Sequence, residues 1–198
     1  MRFHQAFLKR TFDVVVSLSL LFVLWPVIIL CWVIASAETR GNGFFVHPRV
    51  GRNGLIFGVV KIKTMYSTSG GRSAITADNR SFITRSGKVF RKYKLDELPQ
   101  LWNVFVGQMS LVGPRPDVPG YADVLTDESR VILNMRPGIT GLASLKYRNE
   151  EEILGAVENP RLYNDTVIWP DKVRINCEYY WNYRFLTDLR ILYHTVFF

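Results

Sequence analysis

The chain reads Leu95-Asp96-Glu97-Leu98-Pro99-Gln100-Leu101-Trp102-Asn103-Val104 near its middle, followed two residues later by Gly107-Gln108-Met109-Ser110-Leu111-Val112-Gly113-Pro114-Arg115-Pro116. Large apolar residues recur every three to four positions in the first string, which predicts an amphipathic helix. Pro99 is tolerated only near the start of such a helix, and Gly107 suits its end. We therefore expect Asp96 and Glu97 at or just before the first turn of the helix.

Two adjacent carboxylates at a helix start have a structural and a chemical interpretation. Such side chains commonly cap the helix or complement its dipole. The same end of a helix also binds phosphate, and here the preceding stretch is basic. Its basic residues are Arg80, Arg85, Lys88, Arg91, Lys92 and Lys94. This run is either a solvated face or a site for a polyanion, and its position directly before Asp96 gives the second interpretation at least equal weight.

The composition limits the class of protein. The chain has 198 residues, enough for one domain with a hydrophobic core, and its net charge is +8. A basic chain suits a nucleic acid, an anionic lipid or a phosphorylated substrate. The sequence contains no zinc-finger spacing, RNA-recognition signature or basic leucine-zipper pattern, so we expect no nucleic-acid partner. Cys31 and Cys177 suggest no disulfide framework, which predicts a reducing compartment.

A long apolar segment lies near the N-terminus, where residues 14–37 contain no charged side chain. A helix of that length covers about 36 Å, enough for a hydrocarbon core of about 30 Å. A cleaved signal peptide is the minor alternative, because Ala35-Ser36-Ala37 resembles a cleavage site. Positive residues flank both ends of the segment, and Pro26 lies near its middle. Because positive flanks favour the cytoplasmic side, we favour a helix-break-helix that enters the membrane and returns over a single span.

Short β-like runs follow the apolar segment. Residues 44–46 and 55–60 flank an Asn53-Gly54 turn signal, which predicts a β-hairpin. The alternation of basic and apolar residues after the second run would direct Lys61 and Lys63 to one face of a strand. The stretch that comes next, residues 67–80, is rich in Ser, Gly, Asn and Asp and predicts a loop.

Two stretches nearer the C-terminus are open to more than one interpretation. Residues 136–141 form a glycine-bounded turn whose N–H groups could face an anion, although Pro-Gly turns are common. Residues 173–198 mix aromatic and basic side chains. They predict an amphipathic helix that either packs on the domain or lies on a membrane surface.

Taken together, the motifs resemble the bacterial sugar transferases, that is, the monotopic polyprenyl-phosphate phosphoglycosyl transferases. The resemblance covers essentially the whole chain in order and is most specific from Asp96 to Pro116. It rests on residues 49–54, 61–65, 95–104, 109–116, 136–143 and 188–192. It implies an enzyme that transfers a sugar-1-phosphate from a nucleotide diphosphosugar, with UDP as the expected nucleotide, to polyprenyl (undecaprenyl) phosphate and releases UMP. The chain resembles the small members that consist of the catalytic unit, which begin the assembly of glycoconjugates such as exopolysaccharide or lipopolysaccharide.

The resemblance also implies roles for individual residues. Asp96 would be the catalytic nucleophile and form an acyl phosphate, which the lipid phosphate then displaces. Glu97 would be the second catalytic residue and the ligand of a Mg²⁺ cofactor. The residues implied in substrate binding are Lys61, Lys63, Arg91, Arg115 and Pro116. General chemistry agrees, because a carboxylate accepts phosphoryl groups covalently and attack by an anion on a diphosphate requires neutralisation by cations.

Three segments depart from the family pattern, namely Trp25-Pro26, His47-Pro48 and residues 144–147. None of them includes Asp96 or Glu97. The third segment lies where the sugar or nucleotide site is expected, so it leaves the identity of the sugar open.

We predict an α+β fold in which a membrane-embedded re-entrant N-terminal helix, interfacial amphipathic helices and a small β-hairpin surround a compact catalytic domain. Residues 1–40 would form the membrane anchor, and residues 41–198 a cytosolic, membrane-associated catalytic domain. The expected location is the cytoplasmic face of a bacterial inner membrane, with membrane lipid and downstream glycosyltransferases as further partners. Two other functions stay open, a catalytically silent membrane scaffold and a basic nucleic-acid- or lipid-binding module. The intact Asp96, Glu97 and Arg115 argue against the first, and the apolar segment argues against the second.

Overall fold

The computed structural model describes residues 3–66 and 82–197, so the loop predicted over residues 67–80 lies outside the described residues. Helices dominate the described residues and accompany two small two-stranded sheets, which confirms a mixed α and β fold. The first helix, α1 (Phe3–Thr39), contains the whole apolar segment. Among the described residues, it is the one helix long and apolar enough to cross a membrane.

Helix α1 continues through Pro26, so the interruption predicted at this residue is not found. Proline lacks an N–H group, and its ring crowds the preceding turn of a helix. The loss of one hydrogen bond bends a helix without having to end it, particularly where apolar neighbours on both sides sustain the remaining turns.

The predicted β-hairpin is confirmed. Strand β1 (Phe44–Val50) pairs with β2 (Ile56–Ile62) in antiparallel register, from Phe44 opposite Ile62 to Val50 opposite Ile56. The connecting turn places Asn53 at φ 60° and Gly54 at φ 79°. These left-handed conformations are available at low cost to glycine and asparagine, which explains why this dipeptide is a reliable hairpin signal.

Helix α2 (Arg85–Lys92) leads into the stretch that contains the two carboxylates. Residues Leu95–Glu97 form a tight 3₁₀ turn, and helix α3 (Gln100–Val106) starts after Pro99 and ends at Gly107, which has a φ of 90°. The helix begins later than the apolar spacing suggests, because Pro99 has no N–H to donate back to the preceding turn. The prediction that Asp96 and Glu97 lie just before the helix is confirmed, as is the stop at Gly107.

A second sheet follows α3 and was not predicted. Strand β3 (Ser110–Val112) runs parallel to β4 (Gly138–Thr140). The N–H of Gly138 donates to Pro114 O at 2.8 Å, and the N–H of Gly113 donates to Thr140 O at 2.9 Å. The idea that the turn at residues 136–141 binds an anion is therefore wrong for the Gly138 amide, which holds the segment before Arg115 in place.

The C-terminal part is helical. Its helices are α4 (Leu142–Lys146), α5 (Glu150–Gly155), α6 (Pro160–Tyr163), α7 (Trp169–Trp181) and α8 (Phe185–Phe197). Short 3₁₀ segments (Ala122–Val124 and Asp127–Asn134) precede them, and a π segment (Asn164–Ile168) joins α6 to α7. The amphipathic stretch predicted near the C-terminus is thus two helices. Both bury side chains on the domain, and α8 also exposes Leu186, Tyr193, Val196 and Phe197.

Two hydrophobic clusters join α1 to the rest of the chain. The larger contains Val104, Met109 and Ile191 at its centre, and Phe12, Val16, Leu21 and Leu24 of α1 pack against it. The smaller combines Cys31 and Ala35 of α1 with Ile62 and Phe90. Early and late turns of α1 therefore pack against the same domain.

Charged side chains in the first turns of α1 strengthen this attachment. The Nζ of Lys9 donates to Asp188 Oδ2 at 2.6 Å and to Val112 O at 2.8 Å, and both side chains are buried. Arg10 donates to Val104 O and Phe105 O at the end of α3, both at 2.7 Å. The carboxylate of Asp13 accepts from the N–H of Leu111 at 3.0 Å. The start of α1 therefore fixes the end of α3 and the strand β3.

Candidate active site

The 3₁₀ turn between α2 and α3 places two carboxylates in very different surroundings. Lys94, directly before the turn, has a φ of 56° and reverses the chain out of α2. Asp96 is 8% exposed, and its Oδ1 is buried with no hydrogen-bond partner among the described residues. Neither carboxylate caps α3, because the N-cap position is occupied by Pro99 and no side-chain hydrogen bond caps the helix there. The capping interpretation of this pair is therefore wrong.

Glu97 is the centre of an ion-pair cluster. Its Oε1 accepts from Lys61 Nζ at 3.0 Å and from Arg115 Nη2 at 2.6 Å, whereas Oε2 has only the Nη1 of Arg115 at 3.5 Å. Burial alone would raise the pKa of Glu97, but Arg115 and Lys61 hold it well below its usual range. Glu97 is thus a permanent anion that has lone pairs left on Oε2.

The pKa of Asp96 shifts in the opposite direction from that of Glu97. Burial and the neighbouring Glu97 anion raise the pKa of Asp96, and the cations Lys61, Arg91 and Lys94 counteract this only in part. A further cation or an incoming phosphate that draws these cations closer would change this balance. The pair therefore consists of Glu97, an anion paired with two cations, and Asp96, whose Oδ1 is buried without a hydrogen-bond partner among the described residues.

The structure brings together most of the residues predicted to bind substrate. Lys61, on β2, and Arg115 contact Glu97 directly. Arg91, on α2, donates to Thr64 Oγ1 at 3.1 Å and acts electrostatically on Asp96. The structure therefore places Lys61, Arg91 and Arg115 around the two carboxylates, and their role in binding substrate stays a prediction.

Two predicted residues lie differently. Lys63 follows the end of β2, and its Nζ lies beside Gly41. The predicted common face for Lys61 and Lys63 therefore does not lead both to Glu97. Pro116 is buried, and its carbonyl accepts from Arg49 Nη1 at 3.2 Å, so its described contact is to the end of β1.

The two carboxylates offer oxygen atoms of the kind that a magnesium ion binds. Among the described residues, no group of three or more His, Cys, Asp or Glu side chains forms a potential metal cage. Mg²⁺ is, however, usually bound by one or two carboxylates together with substrate phosphates and water. The spare capacity of Glu97 Oε2 and the orphaned Asp96 Oδ1 fit such a site.

Comparison with known proteins identifies the class to which this geometry belongs. The family model described as bacterial sugar transferase matches residues 4–198. The chain belongs to the bacterial sugar transferase family. The matched residues include the whole string from Asp96 to Pro116.

Three relatives illustrate the range of this bacterial sugar transferase family. The chain is 34% identical over 205 residues to a Salmonella typhimurium protein named undecaprenyl-phosphate galactose phosphotransferase, in a match that covers 96% of the chain and 40% of the relative. It is 31% identical over 194 residues to the Caulobacter vibrioides UDP-glucose:undecaprenyl-phosphate glucose-1-phosphate transferase, covering 95% and 68%. It is 30% identical over 204 residues to the exopolysaccharide production protein ExoY of Sinorhizobium fredii, covering 95% and 83%. The chain thus spans 40% of the length of the Salmonella relative and of an uncharacterized sugar transferase from Haemophilus influenzae.

Sequence reasoning missed three charged residues near Arg115 in this bacterial sugar transferase. Asp117 follows the Pro-Arg-Pro turn, and the charges that act on it most are those of Lys172, Arg49, Arg115 and Glu150. Lys172 forms an ion pair with Glu150, at 2.7 Å to each oxygen. A signal for Asp117 was available, because it adjoins a recognised motif. None existed for Glu150 and Lys172, which lie 22 residues apart in an otherwise ordinary polar context.

Proposed function

We propose that this bacterial sugar transferase transfers a sugar-1-phosphate from a UDP-sugar to undecaprenyl phosphate and releases UMP. The names of the Salmonella and Caulobacter relatives support undecaprenyl phosphate as the acceptor. The observation that carries the proposal is the buried, unpartnered carboxylate of Asp96 beside the ion-paired Glu97. Burying a carboxylate without a partner is costly, so its retention beside so many cations points to a chemical role.

The reaction we propose has two steps, each of which exchanges one P–O bond for another. Asp96 attacks the phosphorus that bears the sugar, a bond forms between the carboxylate oxygen and phosphorus, and UMP leaves with the electron pair of the bridging oxygen. An oxygen of undecaprenyl phosphate then attacks the same phosphorus, and Asp96 leaves as a free carboxylate. The covalent intermediate is an aspartyl phosphosugar, in line with the known ability of carboxylates to accept phosphoryl groups.

The cations around Asp96 serve charge neutralisation in this mechanism. Arg115 and Lys61 contact Glu97, where they can bind non-bridging phosphate oxygens, and Arg91, on α2, acts on Asp96. Fixed cations in a partly buried site stabilise developing negative charge more strongly than water does. Glu97 would hold Mg²⁺ through Oε2, and a bound Mg²⁺ supplies further neutralisation of the diphosphate.

We further propose that α1, helical throughout, bends at Pro26 and is re-entrant, with both ends and the catalytic domain on the cytoplasmic face of the inner membrane. Near its start, Lys9 donates to Val112 O at 2.8 Å. Near its end, the carboxylate of Glu38 accepts from the N–H groups of Arg85 and Ser86 at 2.8 and 3.2 Å. A domain that holds both ends of the apolar helix cannot lie on two sides of a bilayer, which supports entry and exit on one side.

Substitution of the proposed nucleophile tests the function. Asp96→Asn removes the charge but keeps the shape, so UMP release from UDP-sugars should fall below about one part in 10³, the scale of loss expected of an essential catalytic group. Glu128→Gln, an exposed carboxylate remote from the site, serves as the matched control and should keep wild-type activity. Release of UDP in place of UMP, or full activity of Asp96→Asn, would refute the assignment.

Trapping tests the covalent step separately. Wild-type protein mixed with a UDP-sugar labelled in the sugar, without lipid acceptor, should retain label that hydroxylamine removes, because hydroxylamine cleaves acyl phosphates. The Asp96→Asn protein should retain none. Sugar transfer with no retained label on wild-type protein would favour direct displacement by the lipid phosphate.

A further inference from the structure

Two groups of charged side chains act on Arg115. One consists of Glu97, which Arg115 contacts directly, and Asp96, together with the cations that neighbour them. The other is formed by Asp117, Glu150 and Lys172, which we call the polar wall. Because Glu150 is an electrostatic neighbour of Arg115, the polar wall adjoins the proposed phosphate site.

Asp117 is the unsatisfied member of the polar wall. It is half-buried, and its carboxylate has no hydrogen bond to any described residue, although three cations act on it. Its backbone is fixed, since Asp117 O accepts from the N–H of Val50 at 2.9 Å. Burial raises the pKa of Asp117 to about 7 despite the nearby cations. Its carboxylate therefore keeps acceptor capacity that is accessible from outside the protein and open to a donor group of a ligand.

The other two members present a preorganised surface. Lys172 donates to both carboxylate oxygens of Glu150 at 2.7 Å, and its Nζ lies 5.7 Å from the centre of the Tyr147 ring. The hydroxyl of Tyr147 in turn donates to Asp171 at 2.7 Å. Tyr147 belongs to residues 144–147, the segment that departs from the family pattern next to the predicted sugar site.

We propose that the polar wall binds the hydroxyl groups of the transferred sugar and thereby selects the sugar. This inference rests on the proposed function. Two carboxylates and one ammonium give the polar wall a net negative charge, so it offers acceptors to O–H groups and no neutralisation to the diphosphate. The sugar fits, because it is attached to the phosphate that Arg115 holds beside Asp96.

The alternative neutral part of the donor is the ribose of the nucleotide. It is separated from the reacting phosphorus by a second phosphate, whereas the sugar is bonded to the reacting phosphate itself. The polar wall adjoins Arg115, which contacts Glu97 directly and interacts electrostatically with Asp96. Because only Arg115 lies between the attacking carboxylate and the wall in this series of contacts, the sugar is a better ligand for the wall than the ribose.

The test measures donor preference with the purified full chain in lipid nanodiscs that contain undecaprenyl phosphate. UMP release gives kcat/KM for UDP-glucose, UDP-galactose and UDP-N-acetylglucosamine with wild type, Asp117→Asn, Glu150→Gln and Lys172→Met. The ratios of kcat/KM among donors should change by about tenfold or more in the variants, since a site built to bond a hydroxyl discriminates strongly through it. Glu152→Gln, an exposed neighbour on α5, is the matched control and should keep the wild-type ratios within about twofold.

Inhibition by UMP distinguishes the sugar from the ribose. UMP carries the ribose but not the sugar, so its inhibition constant should not change in the variants. Unchanged donor ratios in active variants, or a parallel rise of the UMP inhibition constant and of every donor KM, would overturn the inference. Failure of wild-type protein to release UMP from any donor would instead refute the proposed function. The use of three variants keeps the test decisive if one fails to fold.

Discussion

Arg115 contributes through its forked geometry as well as its charge. It places Nη2 at 2.6 Å and Nη1 at 3.5 Å from the two oxygens of Glu97, an arrangement that the single ammonium of lysine cannot reproduce. We expect Arg115→Lys to lower kcat/KM for UMP release about 10- to 100-fold, the equivalent of one charge-assisted hydrogen bond. Arg174→Lys, a surface change on α7, is the control. Equal kcat/KM for Arg115→Lys and wild type would show that only the charge matters.

Asp117 should make the stability of the protein depend on pH. Burial raises its pKa to about 7 in the folded protein, against about 3.9 in an unfolded chain. Below about pH 4 the carboxyl is protonated in both states; between about 4 and 7 only the unfolded chain releases the proton, so stability falls as pH rises. Above pH 7 the carboxyl is ionised in both states, and the cost of burying its charge lowers the free energy of unfolding in full.

The variant Asp117→Asn removes this penalty. Its Tm in detergent should exceed that of wild type at pH 8 by a few degrees, about 2–4 °C per kcal/mol in a chain of this size, and should match it near pH 4. Glu152→Gln, which alters an exposed carboxylate, should show no such difference. A Tm difference for Asp117→Asn that is the same at both pH values would contradict the titration.

At the scale of elements, α3 is held to the hairpin by one buried amide. Asn103 is 1% exposed, accepts from the N–H of Val60 at 3.1 Å and donates to Gly58 O at 2.8 Å and to Gln108 Oε1 at 2.7 Å. Asn103→Leu would leave these groups unpaired, at about 1–3 kcal/mol for each buried group. Thermal unfolding should show a large loss of stability, whereas Trp102→Ala, at a position 54% exposed on the same helix, should have little effect. Equal effects would mean that water replaces the amide.

The attachment of α1 to α8 depends on a buried ion pair. Lys9 and Asp188 have side chains 8% and 2% exposed, and Asp188 also accepts from the hydroxyls of Tyr179 and Tyr183. Lys9→Met leaves the aspartate buried without its cation, which should destabilise the fold by about 3–5 kcal/mol. The double variant Lys9→Met/Asp188→Asn should recover part of this loss in denaturant unfolding. No recovery would show that Lys9 acts mainly through its bond to Val112 O.

Elements with local signals could be predicted from the sequence, and elements that depend on distant pairing could not. Asn53-Gly54 and Gly107 carry backbone conformations that few other residues adopt, so the hairpin and the end of α3 follow from composition. Strands β3 and β4 have three residues each, too few for a periodic pattern, and residues 113–137 separate them in the chain. The carboxylate site was recognised because its motif is contiguous. Asp117, Glu150 and Lys172 meet only through the fold, so no local pattern indicates them.

For the whole molecule, apolar side chains and positive charge are both exposed. Large apolar residues are exposed on α1, α3 and α8, including Phe22, Trp25, Trp102, Leu186 and Phe197. Soluble monomers rarely present so much exposed apolar surface. Combined with a net charge of +8, this surface suits contact with an anionic bilayer. Residues 173–198 were predicted either to pack on the domain or to lie on a membrane surface. Helix α8 is compatible with both, since it buries some side chains on the domain and exposes other apolar residues.

The membrane topology gives the final prediction. A straight helix of 37 residues is about 55 Å long, well beyond the hydrocarbon thickness of about 30 Å, yet both ends of α1 contact one domain. Single cysteines should therefore be introduced at either end, His4→Cys and Gly41→Cys, in a background that lacks the two native cysteines. The Gly41 position accepts a side chain, because the atoms nearest to an added Cβ lie at 3.9 and 4.0 Å.

A membrane-impermeant maleimide distinguishes the two topologies. A re-entrant or surface-lying α1 places both cysteines inside the cell, so neither should react in intact spheroplasts and both should react after lysis. Glu152→Cys, on the catalytic domain, reports the cytoplasmic side as an internal control, and a periplasmic protein of the same cells confirms that the reagent is active. A single span would export one end of α1, and reaction of His4→Cys alone in intact spheroplasts would establish it. An exported start of α1 could not keep the contacts of Lys9 with Val112 and Asp188. That result would therefore contradict the attachment of α1 to the domain as well as the proposed topology.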